Sequence, residues 1–175
     1  MELHLHSTSH PSHHWQRRAP DWIAAAVAGF AAGALVMVVE MLWSAFVQGA
    51  SPWTLPRMVA AIGLGPASLG SDSGFNAPVL GTALAIHYAL GIVFALVLAV
   101  IIAPFRLDSS VGLALLVGAV FGVALYLFDF YGMARAFTWF EQVRGGGMLM
   151  LHVIYGLAAA ALYCKLERRE REGVA

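Results

Sequence analysis

Residues 118–156 read GAVFGVALYLFDFYGMARAFTWFEQVRGGGMLMLHVIYG. An apolar run of helix length carries a carboxylate, Asp129, near its end. An aromatic, charged loop follows, and a second apolar run opens with His152 near its start. The first half of the chain repeats the pattern. Gly29, Gly33 and Glu40 have the spacing of Gly118, Gly122 and Asp129 at a constant offset of 89 residues. Gly81, His87 and Gly91 have the spacing of Gly146, His152 and Gly156 at a constant offset of 65. Between acid and histidine, each half also carries a Trp followed by an Arg, Trp53/Arg57 and Trp139/Arg144. The pattern predicts a duplicated two-helix unit built from small residues, an acid, an aromatic-basic loop and a histidine.

Composition sets the solvent. Of 175 residues, 60% are hydrophobic and 11% charged, with a mean hydropathy of +0.75. A soluble domain carries about 25% charged residues, so the shortfall predicts an integral membrane protein. About 20 apolar residues cross the hydrocarbon, and four such runs consume most of the chain. The expected fold is therefore all-α, a polytopic bundle of four transmembrane helices. A formal net charge of zero removes nucleic acid as a partner and leaves the lipid bilayer, other membrane proteins or a second copy of the chain. The single cysteine, Cys164, excludes an internal disulfide and a cysteine-based metal cluster.

Outward from the central stretch, residues 1–21 form a polar, His-rich tail with His4, His6, His10, His13 and His14, expected to be disordered. The transmembrane domain is expected over 22–164, with spans at about 22–46, 79–103, 110–132 and 148–163. SPWTLPRMVAAIGLG holds Pro52, Trp53 and Pro56 at the start of a mildly amphipathic stretch, which predicts an interfacial or shallow re-entrant helix over about 53–63. Pro104 stops the second span, and a tight turn with Arg106 and Asp108 leads to the third. Residues 165–175, KLERREREGVA, read as a charged helical tail in solvent. Seven Lys/Arg residues fall on the side of the two termini and the 104–109 turn, and Arg57, Arg135 and Arg144 on the other. That asymmetry predicts both termini in the cytoplasm.

Positions seven and eleven apart return to within about 20° of one helix face. Gly29, Gly33 and Glu40 thus share a face of the first span, and Gly118, Gly122 and Asp129 a face of the third. The small residues permit close backbone approach and draw the acids inward. His87 and Gly91, and His152 and Gly156, are four apart and share faces likewise. All four polar residues lie at similar depth, which predicts that Glu40, His87, Asp129 and His152 gather around a pseudo-twofold axis along the membrane normal.

What they do there has more than one reading. Ionisable groups in the hydrocarbon cost energy and seek partners, so the first expectation is two acid–histidine pairs stapling the helices in an accessory or interaction subunit. The alternatives are a metal site, since two histidines and two carboxylates suit a divalent transition metal, and a proton or ion pathway. The nearby carboxylates and the short fourth span disfavour haem b held by the two histidines. Arg135 is a candidate partner of Asp129, and Tyr155 of His152. No Ser-His-acid or Cys-His arrangement and no H-E-x-x-H occurs in the sequence, so no enzyme is expected.

Asp129-Phe130-Tyr131, Trp139-Phe140 and His152-Val153-Ile154-Tyr155-Gly156 resemble a family of uncharacterised bacterial four-span proteins. Its members carry a polar-Phe-Tyr motif, a Pro-Trp-Phe loop and a His-x-x-(Phe/Tyr)-Gly start to the last helix. Thr138 stands where that loop has Pro. In layout the chain is also similar to YagU-like inner-membrane proteins, which lack the same acids. The resemblance implies a four-helix fold in a bacterial inner membrane and no established activity.

Overall fold

Side chains that precede the apolar runs start the helices. Asp21 accepts from the Ala24 N–H at 2.9 Å, Asn76 from Val79 at 3.1 Å and Ser110 from Leu113 at 3.1 Å, each satisfying one of the donors a helix start leaves open. In the computed structural model, which describes residues 18–70, 74–107 and 110–173 (168–173 by backbone alone), five α-helices follow. They are α1 (Trp22–Phe46), α2 (Thr54–Leu64), α3 (Ala77–Phe105), α4 (Val111–Leu127) and α5 (Gly146–Gly173), and no strand occurs among the described residues. The His-rich tail through Arg17, Asp108, and the side chains of Arg168, Arg169 and Arg171 lie outside the described residues.

Four helices are long and apolar enough to cross a membrane: Trp22–Phe46, Ala77–Phe105, Val111–Arg135 and Gly146–Glu167. At 1.5 Å per residue, even the shortest, of 22 residues, spans about 33 Å, against about 30 Å of hydrocarbon. The outer surface agrees with that solvent. Val27, Phe30, Val38 and Leu42 of α1 are about half exposed, while the face of α1 turned inward is Ala25, Ala28, Gly29, Ala32, Gly33 and Glu40. Large apolar residues outside and small ones between helices are what lipid demands, because tails solvate Leu and Phe while close backbone packing holds helices together.

The first span agrees with the expected 22–46, and the second and third differ at their ends by a few residues. The fourth differs more. The helix that begins at Gly146 continues unbroken to Gly173, past the expected end at 163. Its charged continuation is not wholly solvated either, for Glu167 is 3% exposed and pairs with Arg18. The third span ends differently as well: its last turn, Phe128–Gly132, is π-helical, followed by 3₁₀ turns at Met133–Arg135 and Thr138–Val143.

α1 packs along α3 and along α5, α4 packs along α5, and α2 lies on α3. Inside each main pair the glycines meet: Gly29 lies against the Gly91 carbonyl, and Gly118 against that of Gly156. Gly81 and Gly146, the other glycines of the repeated spacing, approach nothing closely. A twofold axis exchanging α1 with α4 and α3 with α5 would match the α1–α5 packing with an equal α3–α4 packing. α3 touches α4 only lightly, so the expected pseudo-twofold arrangement is not the one adopted. The bundle is left looser between α3 and α4, where Phe94 and Phe128 meet edge to face at 6.4 Å.

Candidate functional site

Beneath α2, the helices line a partly open cavity of about 180 Å³ whose wall includes Glu40, His87, Asp129 and His152. The four residues singled out by spacing therefore share one space. Most of the remaining wall is apolar, from side chains such as Met37, Phe94, Phe130 and Phe140. Leu55, Pro56, Val59 and Ile62 of α2 close one side.

Asp129 and His152 form a pair. Asp129 Oδ2 lies 3.0 Å from His152 Nε2, and His152 Nδ1 lies 2.8 Å from the carbonyl oxygen of Met148 one turn earlier. A carbonyl only accepts, so Nδ1 carries a proton and donates it. Nε2 then either donates to the carboxylate as imidazolium or accepts from a protonated carboxyl. In both cases the pair holds one proton more than a neutral imidazole beside a carboxylate and has no net charge. Tyr126 and Phe130 form T-shaped contacts with the imidazole at centroid distances of 6.0 and 5.6 Å. Asp129 Oδ1 is buried without a hydrogen-bond partner.

The π turn sets the position of that acid. Widening the helix by one residue frees backbone carbonyls, and Arg144 Nη2 donates to that of Phe130 at 2.6 Å while its guanidinium lies 4.2 Å from the centre of the Tyr131 ring. The expected Arg135–Asp129 pair does not form: Arg135 is exposed, and His152 takes the carboxylate instead. Trp139 Nε1 donates to the Met58 carbonyl at 3.0 Å and ties the connecting loop to α2 over the cavity. Trp139→Phe should remove that bond at a cost of about 1 kcal/mol. Faster amide exchange confined to residues 54–64 is the expected signature, and unchanged exchange there would mean that the bond does not hold α2 down.

The other acid and histidine behave differently. His87 Nε2 donates to the backbone carbonyl of Gly33 at 3.0 Å and does not pair with Glu40. Glu40 is 8% exposed and makes no hydrogen bond or ion pair with the described residues, although it faces the cavity. Tyr155 donates to the Gly91 carbonyl at 2.5 Å and joins α5 to α3 rather than supporting His152. Among the described residues no three His, Cys, Asp or Glu side chains come together as a metal-ligating group. Glu40, His87, Asp129 and His152, expected as a possible four-ligand metal set, share a cavity wall but not a ligand cage. Both ring nitrogens of His152 and one of His87 are already engaged by oxygen atoms.

Spacing and depth located the four polar residues. The cavity's aromatic wall, the π turn and the Trp139 anchor left no comparable signal, since each depends on contacts between distant segments. Comparison of the chain with protein-family models, with curated proteins and with solved structures finds no match.

Proposed function

We propose that this chain is a proton- or ion-handling protein of a bacterial inner membrane, working through Glu40 and the Asp129–His152 pair in an intramembrane cavity. One observation carries the reading: Glu40 is 8% exposed, lines the cavity and has no hydrogen-bond or ion-pair partner among the described residues. A purely structural staple, as in an accessory subunit, would spend its acids and histidines on one another. Here one acid–histidine pair is made and the other acid is left facing open space. An unpaired buried carboxyl costs stability, and a group that takes up and gives up a proton or a cation accounts for that cost. We also read α1–α3 and α4–α5 as two copies of one ancestral unit that have diverged in their polar contacts. The matched glycine contacts support that reading.

The test is infrared spectroscopy of the protein in lipid vesicles. A carboxylic-acid C=O band that titrates reversibly with bath pH and is absent in Glu40→Gln is the expected result. A band indifferent to bath pH, or no Glu40 band at all, would leave the polar residues as structural and favour an accessory or interaction subunit.

Orientation follows the Lys/Arg asymmetry, which puts both termini in the cytoplasm and the α2 side of the cavity outward. Reporter fusions within 106–109 and after Glu172 should read cytoplasmic, and fusions within 66–76 periplasmic. A periplasmic C-terminal reporter would reverse the side from which the cavity is covered.

A further inference from the structure

The unspent polar atoms of the cavity share one character. Asp129 Oδ1 is buried and unpartnered, and the Glu40 carboxyl, 8% exposed, makes no hydrogen bond or ion pair among the described residues. His87, whose Nε2–H is given to Gly33, offers only Nδ1, which accepts in the neutral ring. His152 and Asp129 Oδ2 are consumed by each other, and Tyr155 gives its hydroxyl proton to Gly91. α2 contributes only Leu55, Pro56, Val59 and Ile62, and the 138–143 turn only Phe140. The cavity therefore presents acceptors and one carboxyl to its contents, with no Lys or Arg among the described residues of its wall.

Size and wall narrow the complement. A closed cavity of about 150 Å³ lined by Leu, Ile and Phe has room for benzene, and this partly open one has about 180 Å³. Phe94, Phe130 and Phe140 supply aromatic surface, and aromatic faces attract a desolvated cation. Resting on the proton-handling reading above, we propose that the cavity binds a small hydrophobic ammonium ion, a protonated amine with a body about the size of a benzene ring, in exchange for the Glu40 proton. The step balances. Glu40–COOH and R–NH₃⁺ enter, the carboxylate–ammonium pair forms, and one H⁺ leaves to bulk water. With no cation present, a carboxylate there has no counter-charge, and the uncharged acid is the cheaper form. With the cation seated, the carboxylate is the form that bonds it.

Benzylammonium is the probe, titrated calorimetrically into the full-length protein in detergent in two buffers of different ionisation enthalpy. Saturable binding that releases close to one proton is expected, with at least a tenfold loss of affinity and no release in Glu40→Gln. Toluene, a neutral body of similar size, should bind both proteins alike. Glu40→Asp keeps the carboxyl and should retain release at weaker affinity, which separates loss of charge from loss of fold; unchanged melting temperatures verify the variants. Equal benzylammonium binding to wild type and Glu40→Gln, or binding without proton release, overturns the proposal. If the Glu40 infrared band titrates with pH but benzylammonium neither binds nor removes it, the ligand class fails while proton handling stands. If the band is absent, both fail.

Discussion

Gly156→Ala and Gly118→Ala should each destabilise the bundle severely, by about 3 kcal/mol or more, with a clear fall in melting temperature in detergent. A Cβ on Gly156 would fall on the Gly118 carbonyl oxygen and lie 3.0 Å from both the Gly118 carbonyl carbon and the Gly122 nitrogen. One on Gly118 would meet the Gly156 carbonyl and stand 2.8 Å from the Ala160 Cβ. Backbone is the obstacle in both cases, so no rotamer change relieves it, and α4 and α5 must part. Gly122→Ala belongs to the same class, with Val153 Cα at 2.7 Å. Gly33→Ala should be far milder, because its nearest neighbour would be His87 Nε2 at 3.5 Å, ordinary contact distance. Gly81→Ala meets nothing and should be neutral or slightly stabilising through better helix propensity. Similar melting temperatures for Gly33→Ala and Gly156→Ala would show that the α4–α5 contact is not what holds the pair.

That ranking marks where sequence reasoning stops. Gly33 and Gly122 occupy equivalent places in the repeated spacing, and nothing in the pattern separates them. The structure does, because α4 and α5 approach more closely at Gly122 than α1 and α3 do at Gly33. The spans were legible, since hydropathy and length alone decide which segments lipid accepts. The inward face of α1 was legible too: small residues and Glu40 recur at helical spacing, and lipid excludes an acid from the outer face. Helix docking was not legible, because each pair carries a similar set of small residues while the contacts between pairs depend on shape. A strict twofold was the simplest assembly, and the slight α3–α4 contact departs from it.

The histidines show the same boundary at finer scale. His87 and His152 match in spacing and in depth, yet Nε2 of His87 donates to a backbone carbonyl while Nε2 of His152 bonds the Asp129 carboxyl, donating to the carboxylate or accepting from the acid. The difference arises at the acids. Asp129 sits on a π turn, whereas Glu40 sits in regular α-helix. Phe128-Asp129-Phe130-Tyr131-Gly132 holds no residue that demands a π turn. Arg144 reaching the Phe130 carbonyl and the Tyr131 ring from a later loop supports it, and that contact is invisible to local reading.

Asp129→Ala should cost about 2–4 kcal/mol, while Asp129→Asn should restore most of the loss and still abolish the shared proton. Alanine leaves His152 Nε2 facing an apolar wall with no partner, the situation in which truncating one member of a bonded buried pair is most damaging. The pair is about one-fifth to one-quarter exposed to the cavity, which places the cost toward the lower part of that range. Asparagine keeps an amide N–H where the carboxyl was. With Nδ1–H fixed on the Met148 carbonyl at 2.8 Å, Nε2 becomes a plain acceptor for that N–H, and the hydrogen bond persists with no proton to exchange. Two measurements separate the roles. Thermal melts should rank wild type above Asn and Asn well above Ala. Nitrogen NMR of His152 should report the neutral Nδ1–H tautomer in Asp129→Asn, and in wild type either two ring N–H groups or a Nε2 that accepts a short hydrogen bond from the acid. Wild type and Asn variant with the same His152 spectrum across pH would mean that the pair holds no extra proton. Asp129 would then only orient the imidazole, and Glu40 would remain as the single exchangeable acid of the cavity.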